Sequence, residues 1–178
     1  MEQNWPEQLT DVNFAVTLRR ATPEDEDFLF KVYSSTRAAE MAMVPWNDAQ
    51  KHAFLQMQHK AQRQSYDEKY PAADYNIVFL DERPVGRLWV VRTDDAIHLL
   101  DIAILTEHQN SGIGTYLLHQ LIAEADASGK TMRHTVYKDN TGAQRFYERL
   151  GFASTGEVGM YLFMERKSPT VNATPPTD

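Results

Sequence analysis

The chain has 178 residues, 42% hydrophobic and 24% charged, which suits one packed domain and excludes wholesale disorder. With 18 Lys+Arg against 25 Asp+Glu, its net charge is -7 and no basic stripe offsets it, so no nucleic-acid partner is expected. The absence of cysteine removes disulfides, thiolate metal sites and a cysteine nucleophile.

The first residues, MEQNWPEQLTDV, have neither a basic nor an apolar leader region, and residues 1–14 read as an N-terminal extension. A strand is expected over Val16 to Arg20. Thr22-Pro23-Glu24-Asp25 then supplies a cap, a first-turn proline and acidic residues at the positive end of a helix dipole. Phe28, Leu29, Val32 and Tyr33 follow at helical spacing. Met41 to Trp46 is apolar without a period, and Asn47 caps a long polar helix running toward Tyr66, with Phe54, Met57 and Ala61 expected on its buried stripe.

Beyond Pro71 the pattern turns to strands. Tyr75–Leu80 and Gly86–Arg92 form a hairpin about the turn at residues 81–84, and His98–Leu105 is apolar enough to be central. That last run is broken by Asp101 and far too short to span a bilayer, so no membrane partner is expected and the cytoplasm is the default compartment. A polar loop leads into a helix bearing Ile113, Leu117, Leu118, Leu121, Ile122 and Ala125, ending near Gly129. Thr131–Tyr137 is a strand, Asn140–Leu150 a short helix closed by Gly151, and two strands end the fold. Residues 168–178, with three prolines and no apolar period, read as a flexible tail, leaving one domain over 15–167. The order implies a mixed α/β (α+β) domain with a mostly antiparallel sheet.

Gln109-Asn110-Ser111-Gly112-Ile113-Gly114-Thr115 links an apolar strand to an amphipathic helix. The first helical turn has unpaired N–H groups, and glycines let a ligand approach them, so the loop is an anion pocket suited to a pyrophosphate or else a plain tight turn. A nucleoside-triphosphate loop would need a Lys after the second glycine; a dinucleotide loop would need Gly or Ala where Leu117 stands.

Three segments together resemble the GCN5-related N-acetyltransferase (GNAT) family: Leu99 to Ile104, Gln109 to Gly114, and Asn140-x-x-Ala143-x-x-Phe146-Tyr147-x-x-Leu150-Gly151-Phe152. The resemblance implies a twisted mixed sheet with splayed central strands, flanked by about four helices, and acetyl-CoA as co-substrate without a metal. It implies that the backbone of Ile102, Ala103 and Ile104 pairs with the pantetheine arm. Amides from Gln109 through Asn110, Ser111, Gly112, Ile113 and Gly114 to Thr115 would hold the pyrophosphate, Asn140 would touch the arm, and Tyr147 would lie beside the sulfur. Family loops often carry arginines where Gln109, Asn110 and Ser111 stand here, so this loop offers little formal charge.

Acyl transfer to an amine needs a neutral amine, a proton acceptor and an acid for the leaving thiol. Tyr147 is the candidate acid. Where family members place a glutamate base, counting lands on His98 or on Thr135, and a threonine cannot act as a base. His98 and Asp101 are thus the candidate bases, on opposite strand faces unless a bulge intervenes. His134 stands behind them, and a water chain is an alternative. The remaining histidines, His52, His59, His108 and His119, lack metal-ligand spacing and read as surface residues. Tyr33, Arg37, Glu40, Met41, Met43 and Trp46 are candidates for the acceptor lining, with Glu40 or Asp101 attracting a cationic amine. The apolar ones read equally as packing or as a homodimer contact. The expected function is acetyl transfer to an amine of a small molecule or protein. A different acyl group, an oxygen acceptor or a non-catalytic CoA-binding module is the alternative.

Overall fold

The computed structural model describes residues 15–169; the expected extension (1–14) and most of the tail lie outside the described residues. In chain order the elements are β1 (Val16–Arg20), α1 (Glu26–Thr36), α2 (Ala38–Ala42), α3 (Asp48–Lys69), β2 (Asp74–Leu80), β3 (Arg83–Arg92), β4 (Ala96–Ile104), α4 (Ile113–Ser128), β5 (Thr131–Tyr137), α5 (Thr141–Arg149), β6 (Ala153–Val158) and β7 (Tyr161–Arg166). The single-turn α2 is the helix that the aperiodic 41–46 segment did not announce. Ser168 is buried, so packing continues one residue past the expected boundary.

Local chemistry accounts for the helix starts. Thr22 and Asp25 form a reciprocal capping box before α1, with Pro23 in the first turn. Asn47 and Gln50 do the same for α3.

The sheet order is β1-β2-β3-β4-β5-β7-β6, antiparallel except between β4 and β5. Those two pair only from Ala96↔Thr131 to Leu99↔His134. Beyond that register they diverge, and residues 100–104 of β4 have no partner on β5. One face of the sheet packs on α4 and α5 around Leu88, Ile97, Leu118, Met132 and Tyr147. The other packs on α1 and α3 around Leu29, Ile77 and Trp89.

A β-bulge sits where β4 diverges. Trp89 faces Asp101 and Val90 faces Leu99, so Leu100 has no opposite residue on β3. The extra residue shifts the alternation. Ile97 and Leu99 belong to the α4 side, and so do Ile102 and Ile104. Leu100 and Ala103 pack on the α1 and α3 side.

The buried stripe of α3 differs from expectation. Met57 and Ala61 face solvent and Phe54 is half-buried, whereas Leu55 and His59 are buried. His59 is therefore not a surface residue: its Nε2 donates to Glu26 at 3.0 Å, and Phe30 and Tyr33 pack on the ring. The helix turns polar side chains inward because Gln62 and Tyr66 line a cavity, so hydrophobic spacing misreads its buried face.

Candidate active site

Two cavities flank the point where β4 and β5 part. One, of about 910 Å³, runs along the start of α4, the outer side of β4 and α5. The other, of about 850 Å³, lies under α1, α2 and α3. Ile102, Asn140, Ala143 and Tyr147 line both, so a molecule threaded from either side arrives at Tyr147.

The α4 side has the features of an anion site. Gly112, the residue before the helix, has φ 87, a left-handed conformation that a residue with a Cβ adopts at a cost of about 1–2 kcal/mol. No side chain caps α4, which leaves its first-turn amides to a ligand or water. Gln109, Asn110, Gly112, Ile113, Gly114 and Thr115 line this cavity with Ile102 and Ile104. β4 backbone without a partner on the β5 side, uncapped α4 amides and the cavity that both line fit an extended arm ending in a pyrophosphate.

Other expected contacts fall differently. Ser111 Oγ donates to the His108 carbonyl at 2.6 Å, so this hydroxyl closes the loop. Gln109 Nε2 donates to the Ile104 carbonyl at 2.9 Å and ties the loop to the strand end. Ala103 lines the α1–α3 cavity, its side chain turned away from α4 by the bulge, which leaves the expectation for its backbone as it stood. Asn140 Oδ1 accepts from Ala143 N and caps α5 while lining both cavities. The charge missing from the loop comes from elsewhere: Arg149, in the last turn of α5, lines the same cavity, with His108 and His119. Sequence reasoning overlooked Arg149 although it lies two residues beyond Tyr147; only the fold brings α5 and the loop to one cavity.

On the other side, Tyr33, Arg37 and Glu40 line the cavity. Met41 and Trp46 do not. Met43 points to solvent, and Trp46 meets Phe54 edge to face with ring centroids 5.2 Å apart. Met43 and Trp46 lie beyond the end of α2 at Ala42, where the chain leaves the cavity; Met41 is within the helix, one residue past the lining Glu40, but on a side that does not line it. Arg87 and Gln62 are lining residues that the sequence did not single out. Arg87 is buried, donating through Nε to Asp101 and through Nη2 to Gln62 Oε1.

Tyr147 is buried, and its ring meets His134 at 4.5 Å, Phe146 at 5.4 Å and Phe152 at 5.5 Å, centroid to centroid. Burial pushes its phenol well above the ordinary tyrosine value, and the Asp101 carboxylate adds to the effect. It is therefore a protonated donor at neutral pH.

The bulge puts His98 and Asp101 on one sheet face, but they do not share a cavity. Asp101 lies in the cavity with Tyr147. His98 lines a third cavity of about 520 Å³ beside Lys69 and Arg133, and its Nε2 is 3.5 Å from Arg133 Nη1. Burial, then Arg133, lowers its pKa. His134 and Thr135 line both the third cavity and the α1–α3 cavity.

A family model described as the acetyltransferase (GNAT) family matches residues 30–152. The chain belongs to this family. Its GNAT sheet is similar to that of PaiA N-acetyltransferase from Thermoplasma acidophilum, solved in complex with coenzyme A, with a TM-score of 0.65 and 18% identity over 86% of this chain and 99% of that one. A GNAT family acetyltransferase from Elizabethkingia anophelis with acetyl-CoA bound gives a TM-score of 0.57 at 15% identity, covering 85% and 97%. In sequence the chain is 26% identical over 99 residues to the uncharacterized N-acetyltransferase CgeE of Bacillus subtilis (strain 168), spanning 50% of this chain and 38% of that protein. Among the described residues no helix is long and apolar enough to cross a membrane, and no group of three or more His, Asp or Glu is placed to hold a metal ion.

Proposed function

We propose that this GNAT protein is an acetyl-CoA-dependent N-acetyltransferase, acting on an amine by direct attack with both substrates bound. The observation that carries this reading is the junction of the two cavities at Tyr147 and Ile102. Acetyl-CoA would lie on the α4 side and the amine on the α1–α3 side. Acetyl-CoA supplies the acetyl group as a thioester.

The chain's own residues divide the remaining work. The first-turn amides of α4 and the Arg149 guanidinium bind negative charge. The backbone of Ile102 to Ile104, paired to β3 but left without a β5 partner, aligns an extended arm on its β5 side, where Gln109 takes the Ile104 carbonyl. Arg87 holds Asp101 in place, and the carboxylates of Asp101 and Glu40, each paired with an arginine (Arg87 and Arg37), offer acceptor oxygens to an amine. Tyr147 gives its proton to the departing sulfur.

Incubation with acetyl-CoA and a panel of primary amines and peptides, read by mass spectrometry with a thiol assay in parallel, tests the proposal. It predicts an acetylated amine and an equal amount of released thiol. Acetyl-CoA raising the melting temperature with no acetylated product would favour a binding module instead. No thermal shift at saturating acetyl-CoA would overturn the assignment of the α4 cavity.

A further inference from the structure

His134 lies on β5 at the last register position before β4 and β5 part, opposite Leu99. Its Nδ1 is 2.7 Å from the Leu99 carbonyl oxygen. A carbonyl only accepts, so Nδ1 carries the hydrogen and, in the neutral ring, Nε2 carries a lone pair. Nε2 makes no hydrogen bond to the described residues, and the side chain lines the same cavity as Asp101 and Tyr147. The ring lies against that of Tyr147. A fixed tautomer, an open lone pair and contact with the acid residue coincide here and at neither of the other candidate bases. His98 is in another cavity with Arg133 beside its Nε2, and Asp101 is occupied by the buried Arg87.

We propose that His134 Nε2 accepts the proton of the acceptor amine, with the Leu99 carbonyl holding the ring in the accepting tautomer. This rests on the acetyl-transfer reading above. The groups that share its cavities include Tyr147 of α5, Tyr66 and Lys69 of α3, Asp101 and His98 of β4, and Tyr161 and Glu165 of β7. Burial favours the neutral ring and prevails over the Leu99 carbonyl and then the Asp101 carboxylate, both of which favour the imidazolium.

The protons balance. An ammonium loses two over the reaction as its N–C bond forms and the C–S bond breaks. His134 takes the first and passes it, through water in the shared cavity, to Tyr147, replacing the proton Tyr147 gave to the sulfur. The second goes to solvent.

Two measurements test this on the full chain. Long-range ¹⁵N NMR of the histidine rings, without acceptor, is expected to show His134 neutral at pH 7 as the Nδ1–H tautomer. An Nε2–H tautomer, or an imidazolium at that pH, overturns the proposal. The second measurement uses an amine that the panel shows to be acetylated. His134→Gln and His134→Asn are expected to lower kcat/KM by roughly 10²–10⁴ and to remove its rise with pH through the histidine range, with KM for acetyl-CoA unchanged. The Asn variant keeps a donor for Leu99, so loss of activity there is not loss of the strand contact. His98→Gln is expected to keep the limb. A limb that survives in both His134 variants, or one lost in His98→Gln alone, overturns the assignment. If no amine is acetylated and acetyl-CoA gives no thermal shift, the underlying reading fails, a result distinct from a wrong tautomer in a chain that binds acetyl-CoA.

Discussion

Arg87 of β3 reaches diagonally across the ladder to Asp101 of β4, its Nε donating to the carboxylate from a side chain that is 2% exposed. Stacking on Trp89, with the guanidinium 4.2 Å from the ring centroid, fixes the other side of the arginine. Removing one member of such a pair leaves a buried charge alone and costs about 3–5 kcal/mol. Asp101→Ala is expected to lower the melting temperature by at least several degrees at neutral pH. Pairing it with Arg87→Met should recover a large part of the loss, because the double variant has no stranded charge. Thermal melts of the single and double variants form the cycle, and strictly additive losses would show that the pair is not coupled.

Tyr147→Phe removes one hydroxyl from a ring held by His134, Phe146 and Phe152, so the packing survives. Turnover is expected to fall by roughly 10²–10⁴ with acetyl-CoA affinity and melting temperature nearly unchanged. An active Phe variant would make Tyr147 a packing residue.

The α4 cavity yields two opposed expectations. A Cβ on Gly114 would meet nothing within 4 Å, and alanine in a helix is favoured over glycine by roughly 0.4–1 kcal/mol. Gly114→Ala should therefore stabilise the free protein while weakening acetyl-CoA, because its methyl obstructs close approach to the amides. Arg149→Ala should leave stability alone and raise Kd for acetyl-CoA by about tenfold, an effect of about 1.4 kcal/mol. Isothermal titration at two salt concentrations checks both; for Arg149 the difference from the parent should shrink as salt rises.

His59, His98 and His134 are all held below the ordinary histidine pKa, in each case first by burial. Unfolded, they titrate near about 6.5. Between that value and their folded ones, the unfolded chain binds more protons, so stability rises with pH. Their stabilisation is complete above about 6.5 and is lost as pH falls below it. Each contributes a slope of at most about 1.4 kcal/mol per pH unit. Melting temperature should be level from about pH 7.5 upward and decline below about 6.5, less steeply in His59→Gln. A level curve down to pH 5 would contradict the buried neutral state.

The strands and helices were legible because the apolar periods and caps are local. Thr22 to Asp25, Asn47 and the Gly112 loop each state their role within a few residues. The rim of the α4 cavity was legible for the same reason, since one continuous loop builds it. The α1–α3 cavity was not. Arg87 sits among apolar strand residues, and nothing in its own segment marks the pairing that Asp101 and Gln62 supply. His59 on a polar helix gives no sign of burial, and Leu100 gives no sign that the strand changes phase there. Each depends on contacts between distant segments, which a pattern of short period does not encode.

The short parallel seam between β4 and β5 has a mechanical consequence. Only four residue pairs, Ala96↔Thr131 to Leu99↔His134, join the β1–β4 half of the sheet to the β5–β7 half. Below that seam the halves form a notch, with β4 amides facing an open gap. A ligand lying in the gap along both strands would act as a rivet. It would stiffen the molecule against opening like a pair of tongs about the seam. Amide exchange at residues 102–104 and 135–137 should then slow together on binding acetyl-CoA, while the outer strands β1 and β6, far from the rivet, keep their free-state rates.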